Sequence, residues 1–203
     1  MIENARQYAP AAARNRDPIW NVLRPLLPPK GIVLEIASGT GEHVTHFAQL
    51  AGPLIQFQPS DPSPSARASI DAWTAASQLP NVRPAVALDA AAEVWPVAHA
   101  DAVVCINMIH ISPWRSTLGL ISGAASLLPA GGVLFLYGPY RRGGAHTAPS
   151  NEAFDADLRR RNAEWGVRDL EAVAELATAA GFGPPHVEPM PANNLSVVFS
   201  RLR

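Results

Sequence analysis

The sequence predicts an α/β protein: a Rossmann-like sheet of seven strands, mostly parallel with an antiparallel last strand, and helices on both faces. Three observations lead there. Short runs rich in Val, Ile, Leu or Phe alternate with longer amphipathic segments; small residues including two glycines follow the first run; and the last two runs lie too close together for a crossover helix.

The first five strand candidates are Gly31 to Ile36, Leu54 to Gln58, Val82 to Leu88, Ala102 to Ile106 and Val133 to Tyr137, each followed by turn chemistry. Continuous apolar runs separated by helices suit a parallel sheet covered on both faces. The helix candidates are His43 to Leu50, Ser65 to Ser77, Pro113 to Leu128, Asn151 to Asn162 and Val167 to Ala180, the last ending at Gly181 where a left-handed cap is expected. His186 to Met190 and Leu195 to Leu202 close the chain, and the Pro191-Ala192-Asn193-Asn194 link between them permits only an antiparallel pair. With 203 residues, 48% of them hydrophobic, and neither a linker nor an internal repeat, a single domain over 1–203 is expected.

Composition narrows the function classes. A formal net charge of −1 gives no electrostatic reason to expect nucleic acid or an anionic membrane as partner. Cys105 is the only cysteine, so no internal disulfide forms, and a reducing compartment fits. The N-terminal stretch has scattered charges and no apolar core of signal-peptide length, and no apolar run is of membrane-spanning length; a cytoplasmic location is expected.

The stretch VLEIASGTGEH, residues 33–43, places Gly39 and Gly41 where the first strand ends and a helix begins. Glycines there permit positive φ and close approach of the backbone to a ligand, while the following helix offers free N–H groups. A tight turn without a ligand is the other reading. Two acids add weight: Asp61 follows the second strand, twenty-two residues beyond Gly39, where a carboxylate can accept hydrogen bonds from ribose hydroxyls, and Asp89 ends the third run. Singly, each also reads as a helix cap or turn residue. Together, a glycine loop and two acids at successive strand ends describe a pocket for an adenosine-bearing cofactor. A dinucleotide fingerprint needs a third glycine where Val44 stands, and no P-loop pattern occurs, which argues against NAD and nucleoside triphosphates.

In order and spacing, residues 30–203 resemble the class I S-adenosylmethionine-dependent methyltransferases. Glu35-Ile36-Ala37-Ser38-Gly39-Thr40-Gly41 resembles the glycine-rich first motif, Asp61 the ribose-binding acid, Asp89 the adenine-side acid, and Asn107 to Ile111 the segment after the fourth strand. The family's usual first glycine is Ala37 here, which a negative φ would accommodate. The stretch YAPAAARNRDPIW and the phrase QPSD further resemble a group of small methyltransferase-like proteins of unassigned substrate. That resemblance implies that residues 1–30 cap the pocket, with Tyr8, Arg14 and Asn15 closing over S-adenosyl-L-methionine and Arg14 pairing with its carboxylate. A surface helix with a solvated arginine is the alternative.

Methyl transfer from a sulfonium needs chiefly positioning, and a base only where the acceptor keeps its proton. His110 is the candidate base on the loop after the fourth strand; among apolar neighbours it also reads as structural, bonded to a backbone carbonyl. Asn107 stands where enzymes acting on nucleobase amines carry an Asn/Asp-Pro-Pro-aromatic tetrad, but Met108, Ile109 and His110 follow it, which disfavours a flipped base as acceptor. Trp114, Tyr137, Tyr140, Phe154 and Trp165 are candidate walls for a small, partly apolar acceptor, and Arg141 with Arg142 could hold an anionic one. Trp20 and Trp73 are assigned to packing. The six histidines are dispersed, so no metal site is expected. The leading expectation is a small-molecule methyltransferase; a non-catalytic module contacting a protein partner and a nicotinamide-dependent oxidoreductase are the alternatives.

Overall fold

A computed structural model describes residues 5–202. Its main sheet has six strands in the order β2-β1-β3-β4-β9-β8, where β1 is Gly31–Ile36, β2 Ile55–Pro59, β3 Ala102–Ile106, β4 Val133–Gly138, β8 His186–Met190 and β9 Asn194–Ser200. The first four run parallel, and β9 pairs antiparallel with both β4 and β8. Because β2 lies on one side of β1 and β3 on the other, the strand order reverses between β1 and β3, the place where open α/β sheets take their ligands.

The third expected strand, 82–88, is the correction to the seven-stranded reading. It makes two isolated parallel bridges to the β2 edge, Phe57 with Val82 and Ser60 with Val86, instead of a ladder. Pro59 and Pro84 supply the reason: neither has an amide hydrogen to donate across that edge.

Side-chain alternation along the strands divides the core in two. Leu34, Val103, Leu136 and Phe199 face α4 (Trp114–Leu127) and α6 (Leu170–Ala179); Val33, Val104, Phe135 and Val198 face α1 (Pro10–Leu23), α2 (Glu42–Leu50) and α3 (Pro64–Ser77). Phe135 is fully buried at the centre of the second cluster, and its truncation to alanine would cost about 3–5 kcal/mol. Pro10 sits in the first turn of α1, where a missing N–H is harmless. Gly181, at φ 87°, follows α6 in the left-handed conformation the sequence predicts.

Between β4 and α6 lies an insertion of which the sequence predicts the helix, over 151–162, but not the small sheet. A three-stranded sheet of β5 (Tyr140–Arg142), β6 (Ala145–His146) and β7 (Arg168–Asp169) carries α5 (Pro149–Arg161). Residues 167–169, expected to open the last helix, belong to this sheet or its approach, and α6 begins at Leu170.

Candidate functional site

Four strand ends meet at the switch point, held by hydrogen bonds between their tips. The Ser38 amide donates to the Ser60 carbonyl at 2.8 Å, the Ser60 hydroxyl to the Glu35 carbonyl at 2.8 Å, and the Gly39 amide to Asp61 Oδ2 at 3.0 Å. The Asp61 amide in turn donates to the Val86 carbonyl at 3.1 Å, which brings in the 82–88 segment. On the other side the Asn107 amide donates to the Tyr137 carbonyl at 2.8 Å, joining the tips of β3 and β4.

The two glycines of the loop have different duties. Gly41, at φ 91°, lies under α3: a Cβ there would stand 2.8 Å from Ile70 Cα. Gly39, at φ 58°, faces open space, with nothing nearer to its missing Cβ than the Ala37 carbonyl oxygen at 4.0 Å. Ala37 departs from expectation. Its φ is 55°, in the left-handed region, so it keeps the loop geometry of a glycine and carries about 1–2 kcal/mol of strain instead of adopting a negative φ.

Glu35, the penultimate residue of β1, is 3% exposed, and its Oε2 atom has no hydrogen-bond partner among the described residues. Burial pushes this carboxyl up to about 8; the Ser38 hydrogen bond draws it back, and the Asp61 charge adds to the rise. Asp61 is also buried, its Oδ1 accepting from the Ser63 amide at 2.9 Å. Asp89 is exposed, with one carboxylate oxygen accepting from the Ala91 amide at 2.9 Å, the local turn bond that its alternative reading describes.

The N-terminal segment crosses this loop. Ser69, fully buried in α3, donates to the Thr40 carbonyl at 2.7 Å and accepts from the Gln7 amide at 2.8 Å, so one hydroxyl connects the segment to the glycine loop. Glu42 Oε2 receives the Ala9 amide at 2.6 Å, and the Trp73 indole donates to the Gln7 carbonyl at 2.9 Å. Trp73, assigned to packing, is therefore a dock for the segment, with Tyr8 edge-on at 5.1 Å and the Arg6 guanidinium 5.2 Å from its ring centre. Asn15 bonds His43 Nε2 at 2.8 Å and also meets the Tyr137 hydroxyl, which Asn194 shares. His43 is driven down to about 4 by burial and by the His46 and Arg16 charges, so it is neutral. Arg14 is exposed and makes no hydrogen bond or ion pair among the described residues. Residues 1–4 of the expected cap lie outside the described residues.

Beyond the tips of β3 and β4 the expectations are revised. His110 is fully buried; its Nδ1 accepts from the Arg168 amide at 3.3 Å, which leaves the proton of the neutral ring on Nε2. Burial, then the Arg168 charge, lowers the ring to about 3. The neutral ring thus has no free lone pair on Nδ1 for an incoming proton. Arg168 also donates to the Ile109 carbonyl at 2.9 Å, the Ser112 carbonyl at 2.6 Å and the Glu164 carbonyl at 2.9 Å, which docks the insertion onto the loop after β3. Asn107, at φ 61°, turns its Oδ1 toward Gly138, where a Cβ would stand 3.1 Å from that oxygen and 2.5 Å from His110 Nε2.

Tyr140 is a core residue, fully buried and edge-on to His110 at 5.1 Å, so it forms no accessible wall. Arg141 is engaged by Asp169 through two bonds, at 3.1 and 2.6 Å, and so is not free for an anionic acceptor. Tyr137 is buried, and Trp114 is half-buried with the Arg168 guanidinium 5.6 Å from its ring centre. Phe154 and Trp165 are likewise half-buried on and after α5. A groove of about 550 Å³ lies elsewhere, between residues 91–97 and α4, and contains none of the strand-tip residues. Ser69 and Glu42 were missed by the sequence reading because a serine in a helix and an acid in a first turn carry no local mark of long-range bonds. Among the described residues no group of three or more His, Cys, Asp or Glu could hold a metal ion, and no helix is long and apolar enough to cross a membrane.

A family profile described as "Protein of unknown function (DUF938)" matches residues 6–201. Solved structures resemble the whole chain. An O-methyltransferase family protein from Burkholderia thailandensis superposes with a TM-score of 0.76 at 17% identity, over 95% of this chain and 60% of that one. Human N-acetylserotonin methyltransferase, in complex with SAM, gives 0.76 at 13% identity over 95% and 53%. CalO1, a methyltransferase of calicheamicin biosynthesis in its SAH-bound form, gives 0.73 at 18% over 94% and 54%. The fold is that of the class I S-adenosylmethionine-dependent methyltransferases, and the chain spans 60% or less of the length of these three.

Proposed function

We propose that this chain, which belongs to the family of unknown function DUF938, is an S-adenosylmethionine-dependent methyltransferase acting on a small molecule. The observation that carries the reading is the buried, unpartnered carboxyl oxygen of Glu35 beside Asp61, at a strand-end loop whose Gly39 faces open space. Such an oxygen is costly unless a ligand satisfies it, and a cationic ligand with hydroxyls suits both acids.

In this reading the loop 37–41 lies along the nucleoside, with Ala37 and Ser38 shaping it, Gly39 admitting the ligand and Gly41 admitting α3. Asp61 keeps one lone pair on each oxygen beyond its bonds to Gly39 and Ser63, enough for ribose hydroxyls. Asp89 serves the adenine side, Glu35 the methionine ammonium and the free Arg14 its carboxylate, while Asn15 and Tyr8 hold the N-terminal cover. When bound, S-adenosylmethionine supplies an electrophilic methyl group on a sulfonium that leaves without acid assistance. The chain's part is then to place the acceptor and exclude water. Asn107, at the tip of β3, lines that meeting point, and His110 acts as a positioning residue beneath it, not as the base. Trp114 remains the aromatic wall with accessible surface. The names of two similar structures, an N-acetylserotonin methyltransferase and an enzyme of calicheamicin biosynthesis, support a small-molecule acceptor.

Calorimetry with S-adenosylmethionine, S-adenosylhomocysteine and NADH tests the reading. Binding of the sulfur nucleotides is expected, weakened by about 1.5–3 kcal/mol in Asp61→Ala through lost charge-assisted bonds. Binding of NADH alone would refute it. Binding of the sulfur nucleotides with no methyl transfer to any compound in a labelled metabolite extract would assign the chain to a non-catalytic role.

A further inference from the structure

Among the described residues, the acidic corner at the tips of β1 and β2 has no cation paired to its carboxylates. Glu35 and Asp61 are 3% and 7% exposed, and among the described residues neither forms an ion pair with lysine, arginine or histidine. The nearest guanidinium contact, from Arg67, goes to the Asp61 carbonyl at 2.9 Å and to the Pro62 carbonyl at 2.8 Å, not to the carboxylate. Neither β3 nor α2 directs a cation at these carboxylates. From β3, the buried Cys105 thiol is pushed up to about 12 and is uncharged. From α2, Glu42 is turned to the Ala9 amide and the Thr40 hydroxyl, and the neutral His43 to Asn15 of α1.

Two ionised carboxylates that close, buried and uncompensated, would repel one another and lose hydration. One of them must hold a proton. The Gly39 and Ser63 amides both donate to the carboxylate oxygens of Asp61. Glu35 has an oxygen, Oε2, with no donor among the described residues.

We propose that Glu35 stands as an uncharged carboxylic acid in the ligand-free protein and releases its proton to solvent when a cationic nucleoside seats, so that the site exchanges a proton for the ligand's ammonium group. This rests on the nucleotide reading above and adds to it a protonation state and a ligand charge. The direction of the Glu35 shift agrees: its carboxyl is held near 8, so the acid form dominates at neutral pH, and ligand affinity rises as pH climbs toward that value.

The experiment is calorimetry of S-adenosylhomocysteine binding at about pH 6.5, where the ligand's own α-amino group stays charged, in buffers of different ionisation enthalpy. Release of about one proton per ligand is expected from the natural protein, with affinity gaining close to tenfold per pH unit below neutrality. Adenosine, which lacks the ammonium, should release none, and Glu35→Gln should bind S-adenosylhomocysteine without release. In the unsubstituted protein, an infrared band of a protonated side-chain carboxyl should vanish on binding, a readout that survives if the variant does not fold. Binding with no proton release, or undiminished release by Glu35→Gln, overturns the exchange and leaves the methyltransferase reading intact. No binding of either sulfur nucleotide removes that reading and this inference with it.

Discussion

The two sides of the switch point are built differently. On the β1 and β2 side, polar groups are held in place yet unfinished: among the described residues Gly39 faces open space, Glu35 keeps a bare oxygen, and Arg14 has no partner. On the β3 and β4 side, the charged groups answer one another. Asp169 takes Arg141, three carbonyls take Arg168, and an amide takes the free nitrogen of His110. The first side leaves polar groups unsatisfied, as the proposed charged ligand would require. The second is an assembled platform whose charges are already spent, so discrimination there falls to shape and to neutral hydrogen bonds.

Substitutions can break or sharpen this contrast. The largest effect belongs to the loop glycines. Gly41→Ala adds left-handed strain of about 1–2 kcal/mol and overpacking of about 1–3 kcal/mol against Ile70, whereas Gly39→Ala adds the strain alone and fills the space before the ligand. Urea unfolding should rank Gly41→Ala as the less stable, and nucleotide binding should be impaired in Gly39→Ala even where it stays folded; equal stability losses would erase the distinction. Next comes Arg168→Ala, which should cost about 1.5–3 kcal/mol through its charge-assisted bonds. It should also raise the His110 titration, measured by imidazole NMR. The sign follows from a folded value near 3, below the ordinary 6.5: stability held by the neutral ring is complete above 6.5 and is lost as pH falls through that window. An unmoved titration would remove Arg168 as a cause. The smallest effect on folding is expected for Arg14→Ala, within about 0.5 kcal/mol, because the side chain is exposed and unpaired. That variant should lose affinity for S-adenosylmethionine but not for adenosine; a parallel loss for both would take Arg14 away from the carboxylate end.

Much of the architecture was legible in the sequence because buried parallel strands announce themselves as unbroken apolar runs, and β1, β3 and β4 lie where those runs stand. The 82–88 run misled, since hydrophobicity records burial but not whether prolines leave amides to pair. The helix of the insertion was legible but its small sheet was not: the strands are two or three residues long, and Asp169, which neutralises Arg141, is twenty-eight residues away. At the site, glycines and acids at strand ends were readable from spacing. The left-handed Ala37 was not, because alanine has no preference for that conformation and tertiary bonds impose it. His110 could be singled out but not assigned, as its role depends on which nitrogen meets a backbone amide from a distant segment.

Ser69 links two stretches of chain by a single oxygen. Any rearrangement of the Thr40 peptide is felt at Gln7 through that atom, so a fluorophore placed near the amino-terminal strap would act as a gauge of loop geometry without touching the ligand. The same coupling makes the strap a poor place for an affinity tag, because pulling on it tugs at the glycine bend.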